Sequence, residues 1–371
     1  MHAEQYLLNI PSQKIKYGLS RTKKLLKICD NPEKNMFTIQ IVGTNGKGST
    51  CAFLNNIFIS AQYKVGLFTS PHLIDYKERI QINNKQISTP EVEIFFKQHK
   101  ENFQNISPSF FEIMTVMALW YFKRSKVDLA ILETGLGGKL DSVTACNNQI
   151  VGFTSIDLDH QEILGNTIQD IAIQKASAVH GSSQVAFSVK QQKAVDKILN
   201  KHCKKQRATY FDNIPKTNYN CKHLQGTHQK YNAGLAQAIA KYCSMVNLFN
   251  IKDQDIKNGL DYTKWPGRFE ILNIKPTIIF DVAHNNAGIK SFVQTYLKYI
   301  KSGNYATKYI LCGFEANKEI QDSIILLNNL FDKIICTETG IRKSKKCDDF
   351  LQFFDISKRK SIKHVGDAFT Y

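Results

Sequence analysis

Short apolar runs alternate with amphipathic segments along the first half of the chain. Residues 37–42 form an apolar run that predicts a strand, and apolar positions in 49–61 recur at helical spacing, which predicts a helix with one face on a sheet. The same pattern predicts further strands at 65–68, 127–132 and 150–156, and helices at 91–100, 110–124 and 168–179. Strands separated by helices are typical of a doubly wound, mainly parallel α/β sheet.

The second half of the chain is less regular. Residues 200–228 are polar and rich in lysine, which predicts loops or short edge strands, and 232–245 predicts a helix. The segment 262–268 contains adjacent Pro and Gly, a pair that usually interrupts regular structure. Beyond it, strands are predicted at 277–280, 308–312 and 333–336, with helices between them.

This break divides the chain into two predicted domains. Residues 1–264 would form the larger domain, with a mainly parallel sheet, and residues 265–371 a smaller Rossmann-like α/β domain. A chain of 371 residues with 43% hydrophobic residues is large and apolar enough for two packed cores, which argues against disorder.

The net charge of +17 raises the question of nucleic-acid binding. However, only 7 of the 49 basic residues are arginine, and the lysines are scattered along the chain rather than collected in one stretch. This distribution fits a general bias towards lysine as well as it fits a binding face. We therefore expect no nucleic-acid partner.

Membrane and secretion signals are not visible in the sequence. No apolar run reaches the 18 or so residues of a spanning helix, and the N-terminus lacks the basic and apolar regions of a signal peptide. Nine dispersed cysteines form no CxxC pair, which favours reduced thiols over a zinc site or a disulfide framework. We expect a cytoplasmic protein without a membrane partner.

The sharpest local signal is Gly-Thr-Asn-Gly-Lys-Gly-Ser-Thr at 43–50, between a predicted strand and a predicted helix. Glycines let the backbone wrap around phosphate, a lysine adds positive charge, and a hydroxyl can bind Mg²⁺ at a helix N-terminus. The usual P-loop pattern is not met, because Gly48 separates Lys47 from Ser49. The context favours a phosphate-binding loop over the alternative, a glycine-rich turn.

Polar residues also follow three other predicted strands. Glu133 ends one strand and precedes a glycine-rich stretch, an arrangement similar to a Walker B acid, although a capping carboxylate is the alternative. Asp159 and His160 follow the next strand; taken alone, His160 fits a structural hydrogen bond better than a metal ligand. Asp281 repeats the theme in the second domain. Because open α/β sheets bind ligands at strand ends, these residues predict one nucleotide site.

Six segments together resemble the folylpolyglutamate synthase and dihydrofolate synthase branch of the Mur ligase superfamily. They occur in that family's order and span about residues 15–320: G-T-N-G-K-G-S-T at 43–50, T-S-P-H-L at 69–73, L-E-T-G-L-G-G-K-L-D at 132–141, T-S-I-D-L-D-H at 154–160, P-G-R-F-E at 266–270 and F-D-V-A-H-N at 280–285. The resemblance also accounts for the unusual P-loop, since Mur-type ligases place the second glycine there.

The resemblance implies an ATP-dependent amide ligase that adds L-glutamate to dihydropteroate, to a folate, or to both. The acceptor carboxylate would attack the γ-phosphate of ATP, and the glutamate amine would then displace phosphate from the acyl phosphate. All three substrates are anions, so positive groups must neutralise their charge before they can meet. The implied cofactors are ATP and two Mg²⁺ ions, and the implied protein is a monomer.

The resemblance also assigns residues to this site. Lys47, Lys175, Asp281 and His284 would be catalytic, and Lys175 would be carbamylated so that it bridges a second Mg²⁺; a solvated helix lysine is the alternative. The metal ligands would be Ser70, Glu133, His160 and Lys175. The nucleotide would contact Gly43, Thr44, Asn45, Gly46, Lys47, Gly48, Ser49, Thr50, Asn232, Arg268 and Asp281.

Three features bear on the acceptor. The segment 14–21 resembles the loop that covers the pterin in bacterial family members, Phe111 matches an aromatic residue that stacks on the pterin, and Asp141 matches an acid that hydrogen-bonds it. Asp141 and the segment 14–21 favour dihydropteroate as an acceptor and hence a bifunctional enzyme. Phe110 and Phe111 also suit a hydrophobic core, the commoner place for such a pair.

One departure leaves alternatives open. Family members carry a final strand and a Gly-Ser segment near the glutamate site, and residues 340–371 contain no equivalent, so we expect a shortened C-terminal domain. The alternatives are another Mur-type amino-acid ligase, or a catalytically impaired homologue that binds nucleotide or nucleic acid.

Overall fold

The apolar runs of the first half form one eight-stranded sheet in the computed structural model of the chain, which describes residues 3–10, 18–301, 303, 305–316, 321–338 and 344–370. Its strands are β1 (Phe37–Val42), β2 (Val65–Phe68), β3 (Ile80–Ile82), β4 (Lys85–Gln86), β5 (Leu129–Glu133), β6 (Ile150–Phe153), β7 (Val185–Val189) and β8 (Thr209–Ile214).

The strand order is β4-β3-β2-β5-β1-β6-β7-β8. All neighbours from β2 to β8 pair in parallel, whereas β3 and β4 are antiparallel additions at one edge. The central strands are buried on both faces, which explains their continuous apolar runs. The predicted mainly parallel α/β sheet is confirmed.

Helices cover this sheet. They are α1 (Ala3–Asn9), α2 (Ser20–Ile28), α3 (Lys47–Ser60), α4 (Thr89–Ile106), α5 (Phe110–Arg124), α6 (Gln161–Leu164), α7 (Ile168–Ala176), α8 (Lys193–Gln206), α9 (Thr227–Met245) and α10 (Asp253–Tyr262). Short 3₁₀ helices occupy Tyr76–Arg79 and Ser142–Ala145. No helix in the described ranges combines the length and the apolar character needed to cross a bilayer.

Hydrophobic cores hold helices to the sheet, and two of them are formed by described residues on α4, α5, α7 and α8. One joins α4 and α5 to β2 and β5, and the other joins α7 and α8 to β6 and β7. Helices α3 and α10 pack closely at Gly259. A Cβ added to this glycine would lie only 2.5 Å from the Ile57 Cα, so the close approach requires glycine.

The chain divides into two compact units, Met1–His223 with His228–Trp265, and Leu224–Thr227 with Pro266–Tyr371. The second unit contains a hairpin of β9 (Glu270–Ile274) and β10 (Thr277–Phe280), and a parallel three-stranded sheet in the order β11-β12-β13. The remaining elements are β11 (Tyr309–Cys312), β12 (Lys333–Glu338), β13 (Arg359–His364), α11 (Asn286–Ile300), α12 (Gln321–Leu330), α13 (Cys347–Leu351) and α14 (Val365–Thr370).

The prediction of loops or short edge strands for residues 200–228 is wrong for residues 200–206, which are helical, and agrees with the structure at β8, which is an edge strand. Helix α8 extends to Gln206, and β8 then forms the edge of the large sheet. The buried face of α8 consists of Val195, Leu199 and Cys203, a stripe one residue wide with a spacing of four. The surrounding lysines concealed this narrow stripe in the sequence.

Candidate active site

Four adjacent parallel strands end at one edge of the large sheet. Ser70 follows β2, Glu133 ends β5, Gly43 follows β1, and Thr154 follows β6. The carboxyl ends of parallel strands lie at the same edge, where open α/β sheets bind ligands. The sheet therefore brings together the four first-unit motifs that are far apart in the sequence.

The P-loop, residues 43–50, connects β1 to α3. Gly46 lies at the helix N-cap with a φ of 91°, in the left-handed region that favours glycine. The Thr44 amide donates to the Ser155 carbonyl at 2.8 Å, and the Thr44 hydroxyl donates to the Asp157 carbonyl at 3.0 Å. The segment after β6 therefore fixes the position of the loop.

Gly46 and Gly48 of the P-loop lie close to side chains from distant parts of the chain. A Cβ on Gly46 would overlap the Asn232 amide oxygen, and a Cβ on Gly48 would lie 3.0 Å from the Trp265 Nε1 and 3.5 Å from the Glu133 Oε2. Asn232 and Glu133 thus line the loop. Trp265 also lines it, although its sequence context predicts only an interruption of regular structure.

Two lysines point at the carbonyl oxygens of the P-loop. The Lys47 Nζ lies 3.2 Å from the Gly43 oxygen and 3.0 Å from the Thr44 oxygen, and the Lys175 Nζ lies 2.8 Å from the Gly43 oxygen. Burial, with the positive charge of Lys47, lowers the pKa of Lys175 to about 7, although Asp159 and Asp141 act in the opposite direction. Lys175 is therefore a buried lysine and not a solvated one.

Two of the predicted metal ligands are adjacent. The Ser70 amide donates to the Glu133 Oε2 at 2.9 Å, and Glu133 is buried. His160 occupies the N-cap of α6 with a φ of 50°, where its imidazole nitrogens lie 4.0 Å from an Asp159 oxygen and 3.8 Å from a Glu162 oxygen. A left-handed non-glycine residue is strained, and such residues often occur at functional sites.

In the part of the chain that the structure describes, no three His, Cys, Asp or Glu side chains are arranged to hold a metal ion. The predicted ligand set contains only two residues of these types, Glu133 and His160. Ser70 and Lys175 complete it with a hydroxyl and an amine. A protonated amine cannot bind a cation, so Lys175 would need to lose its proton or be modified to act as a ligand.

Phe111 lies in the first turn of α5, and Asp141 lies in the loop that follows β5. The Phe111 ring is partly buried, packs 5.6 Å from the Phe68 ring, and lies against Gly135, where an added Cβ would be 2.6 Å from the Phe111 Cζ. Phe111 therefore borders the core and also contacts the loop after β5.

Both Asp141 oxygens accept backbone hydrogen bonds, from Leu136 at 2.8 Å and from Val143 at 3.0 Å. Burial raises the pKa of Asp141 to about 6, although these amides and the Lys47 charge favour the ionised form. Asp141 thus shapes the loop between residues 136 and 143. An acid with this pKa can change its protonation state near neutral pH.

A buried polar network around Gln40 of β1 connects this strand to the same loop. The Gln40 amide nitrogen donates to the Thr134 hydroxyl at 2.8 Å and to the Thr144 hydroxyl at 3.0 Å, and its oxygen accepts from Asn148 at 2.9 Å. The Thr144 hydroxyl donates to the Gly138 carbonyl at 2.7 Å. The hydrogen bonds of Gln40 and Thr144 connect β1 to the loop that carries Asp141 and so help to hold its conformation.

The segment predicted to cover a pterin lies partly outside the described residues, which begin again at Gly18. Its last residue, Arg21, lies in α2 and forms an ion pair with the buried Glu112, with 3.1 Å between Nε and Oε1. Glu112 also accepts from the Ser109 amide at 2.7 Å in the capping box of α5. The end of this segment is therefore attached to the helix that carries Phe111.

The second unit contains the remaining predicted residues. The Asp281 oxygens accept from the Phe269 and Ala283 amides, both at 2.8 Å, and the His284 Nδ1 lies 2.9 Å from the Val282 carbonyl. Burial raises the pKa of Asp281, while the backbone amides and the nearby Arg268 and His284 oppose this shift. Asp281 and Arg268 are thus close to each other within the unit.

A curated relative decides the family. The dihydrofolate synthase/folylpolyglutamate synthase of Bacillus subtilis is 35% identical to this chain, over 96% of the chain and 89% of the relative. The chain belongs to the folylpolyglutamate synthase/dihydrofolate synthase family. The family resemblance inferred from six motifs is therefore confirmed. No family model matches the chain.

Solved structures of the family share the fold. Escherichia coli FolC in complex with DHPP and ADP is 26% identical with a TM-score of 0.86, over 99% of this chain and 89% of that one. The bifunctional folylpolyglutamate synthase/dihydrofolate synthase of Yersinia pestis, complexed with AMPPNP and a Mn ion, is 25% identical with a TM-score of 0.86, over 100% and 92%. The predicted Mur ligase architecture, with a smaller sheet in the C-terminal part, is confirmed.

The P-loop of this family member fits a nucleotide phosphate with a divalent metal ion. Within the described ranges, the buried hydroxyls of Ser49 and Thr50 have no hydrogen-bond partner. Buried polar groups normally have partners, so an unpaired pair at a helix N-terminus points to a ligand. Phosphate oxygens and a hard cation are ligands of the required type.

Proposed function

We propose that the chain is an ATP-dependent ligase that joins L-glutamate in amide linkage to dihydropteroate, to a folate, or to both. The observation that carries this proposal is the P-loop, whose two unpartnered buried hydroxyls lie in the same loop-and-helix segment as Lys47 and Gly48, beside Glu133. Family membership supplies the reaction class. Residues 1–264 would form the ATP-binding domain, and 265–371 the second ligase domain.

The reaction has two steps. An oxygen of the acceptor carboxylate attacks the γ-phosphorus of ATP, the bond to the β-phosphate oxygen breaks, and ADP leaves. The glutamate amine then attacks the carbonyl carbon of the acyl phosphate, the carbon–oxygen bond breaks, and phosphate leaves while the amine loses a proton. Both steps bring anions together, so catalysis depends on positive groups positioned around the phosphates.

The P-loop residues would bind the nucleotide. Amides at the start of α3 face the phosphates with the positive end of the helix dipole, and Lys47 exchanges its contacts with the loop carbonyls for phosphate oxygens. Divalent metal ions, two in number, would neutralise charge on the phosphates. Ser70, Glu133 and His160 would hold one ion, and Asn232 and Arg268 would contact the nucleotide.

Lys175 is proposed to be carbamylated. A pKa of about 7 leaves a large fraction of the amine unprotonated near neutral pH. The amine lone pair can then attack the carbon of CO₂, and loss of one N–H proton gives a carbamate. The buried cation becomes an anion that can bridge to a second metal ion, and this change explains why a lysine would occupy a metal site.

Phe111 and Asp141 support a pterin-bearing acceptor. Phe111 offers a partly buried ring next to Gly135, and the Asp141 carboxyl lies in the adjacent loop, held by the Gln40 network. A ring for stacking and an acid for hydrogen bonding are what a flat heteroaromatic group needs. We therefore propose that one monomer accepts both dihydropteroate and reduced folates.

Product analysis tests this function. The purified chain is incubated with ATP, Mg²⁺ and glutamate, with either dihydropteroate or tetrahydrofolate, and products are identified by mass spectrometry. We expect addition of a glutamyl residue and phosphate release that requires glutamate. Products from one acceptor only would show a monofunctional enzyme. Absence of a glutamate adduct with both acceptors would refute the proposal, and a screen of other carboxylate acceptors would then identify a different Mur-type ligase.

A further inference from the structure

The turn that carries Arg268 has an unusual backbone. Its neighbours on both sides lie in the left-handed region, Gly267 with a φ of 71° and Phe269 with a φ of 47°. Glycine adopts this conformation readily, but a bulky residue such as phenylalanine does so at a cost and only when its surroundings hold it there. The Phe269 ring is 2% exposed and belongs to the core of the second unit.

Two carboxylates hold this turn in place. The Phe269 amide donates to the Asp281 Oδ2 at 2.8 Å, and the Gly267 amide donates to the Glu270 Oε2 at 2.8 Å. The Val282 amide donates to the Gly267 carbonyl at 3.0 Å. These three hydrogen bonds fix the backbone on both sides of Arg268, so together they can hold the strained residue.

The same acid also fixes the loop that follows β10. The second oxygen of Asp281 accepts from the Ala283 amide at 2.8 Å. One carboxylate oxygen of Asp281 thus accepts from the turn that carries Arg268, and the other accepts from the loop that follows β10. Its charge lies close enough to the Arg268 guanidinium for the two to interact.

We propose that Asp281 and Glu270 are positioning residues that aim the Arg268 side chain, so that their effect on nucleotide use passes through Arg268. This inference rests on the proposed function, which assigns Arg268 to the nucleotide, and it changes the role of Asp281. A residue that contacts the nucleotide directly would act independently of Arg268. Glu270 has no assigned role in the family motifs described above, and it follows Arg268 by two residues in the sequence.

A double-mutant cycle tests the coupling. The variants are Arg268→Ala, Asp281→Asn and Glu270→Ala, with each acidic variant also combined with Arg268→Ala. We expect kcat/KM for ATP to fall about 100-fold in Arg268→Ala and about 10-fold in each acidic variant, and each double variant to stay within about 2-fold of Arg268→Ala alone. Losses that multiply in both double variants would overturn the proposal.

Two further measurements separate positioning from general damage. Asp355→Asn is the matched control, because Asp355 accepts from the Ser357 amide at 3.0 Å in an exposed turn of the same unit. It should leave kcat/KM unchanged. ADP affinity, measured by calorimetry on the full chain, should repeat the non-additive pattern. A wild type that forms no glutamate adduct would refute the proposed function, while ADP affinity would still test the coupling; a wild type that binds no ADP would refute both.

Discussion

The ammonium nitrogen of Lys175 lies 2.8 Å from the carbonyl oxygen of Gly43, so helix α7 is hydrogen-bonded to the first residue of the P-loop. The same carbonyl receives Lys47 at 3.2 Å. Two cations that share one acceptor repel each other, and this repulsion adds to burial in lowering the pKa of Lys175. The P-loop therefore has a lysine beside it that gives up its proton easily.

The first prediction concerns the modification of this lysine. Lys175→Ala should lower kcat by about 100-fold or more, since the variant lacks the carbamate that would bridge the second metal ion. Short carboxylates such as acetate or propionate should restore part of the activity, because they can occupy the space of the missing carbamate. The measurement is glutamate-dependent phosphate release at increasing carboxylate concentration.

Lys139→Ala is the matched control for this rescue. Lys139 is an exposed lysine. Its backbone amide donates to the carbonyl of Gln174, the residue before Lys175, at 2.9 Å. Its truncation should leave turnover and the carboxylate response unchanged. Full activity in Lys175→Ala without added carboxylate would contradict the assigned role.

The second prediction concerns stability and pH. The pKa of Lys175 is about 7 in the folded chain, whereas an unfolded lysine titrates at about 10.4. Between these values the unfolded state binds more protons, so the free energy of unfolding rises with pH. Lys175→Met cannot titrate. In CO₂-free buffer, the stability advantage of this variant over the wild type should therefore shrink from pH 7 to pH 10, by at most about 1.4 kcal/mol per pH unit.

Urea unfolding at several pH values measures this difference. Titrating groups far from Lys175 contribute equally to both proteins and cancel in the comparison, whereas Lys47, Asp141 and Asp159 interact with Lys175 and contribute to the measured difference. A stability difference that does not change with pH would show that Lys175 has no lowered pKa in the folded chain.

The sequence predicted the positions of the site residues on the fold better than their contacts. Strand ends could be predicted because apolar runs and the polar residues after them are local features, and Gly43, Ser70 and Glu133 do lie at one sheet edge. Trp265 beside Gly48 could not be predicted, because the contact joins residues far apart in the chain. The role of Gln40 in the polar network could not be predicted either, because its hydrogen-bond partners lie about 100 residues away in the sequence.

The limits of the fold prediction have the same cause. Helix α8 was missed, and its residues from 200 on were predicted as loops or short edge strands, because lysines surround its single-residue apolar stripe. Strand β13 lacks an apolar run, and strand β9 was missed although three of its five residues are apolar; most residues of both strands are not buried. Local hydrophobicity detects elements that are buried on a broad face, and these three elements are not.

The third prediction concerns Lys47. Lys47→Ala should abolish detectable turnover, a loss of about 1,000-fold or more, because the variant lacks the charge that contacts the phosphates. The fold should persist, because the Lys47 ammonium contacts only loop carbonyls that water can replace. Circular dichroism checks the fold, and ATP-dependent product formation checks activity. Lys97→Ala, an exposed lysine of α4, serves as the control.

The fourth prediction separates the acceptor from the nucleotide. Gly135→Ala would place a Cβ 2.6 Å from the Phe111 Cζ, so the ring must move. Stacking on the pterin depends on the position of that ring. We expect KM for dihydropteroate to rise about 10-fold and KM for ATP to change by less than about 2-fold, since one displaced aromatic contact accounts for roughly 1.4 kcal/mol.

Gly181→Ala is the matched control for this substitution. A Cβ on Gly181 would meet no atom within 4 Å, so the same chemical change should leave both KM values as they are. Equal losses for acceptor and ATP in Gly135→Ala would indicate that the loop between residues 134 and 141 had moved as a whole. An unchanged KM for dihydropteroate would instead show that the acceptor does not stack on Phe111, and the pterin site would have to lie elsewhere.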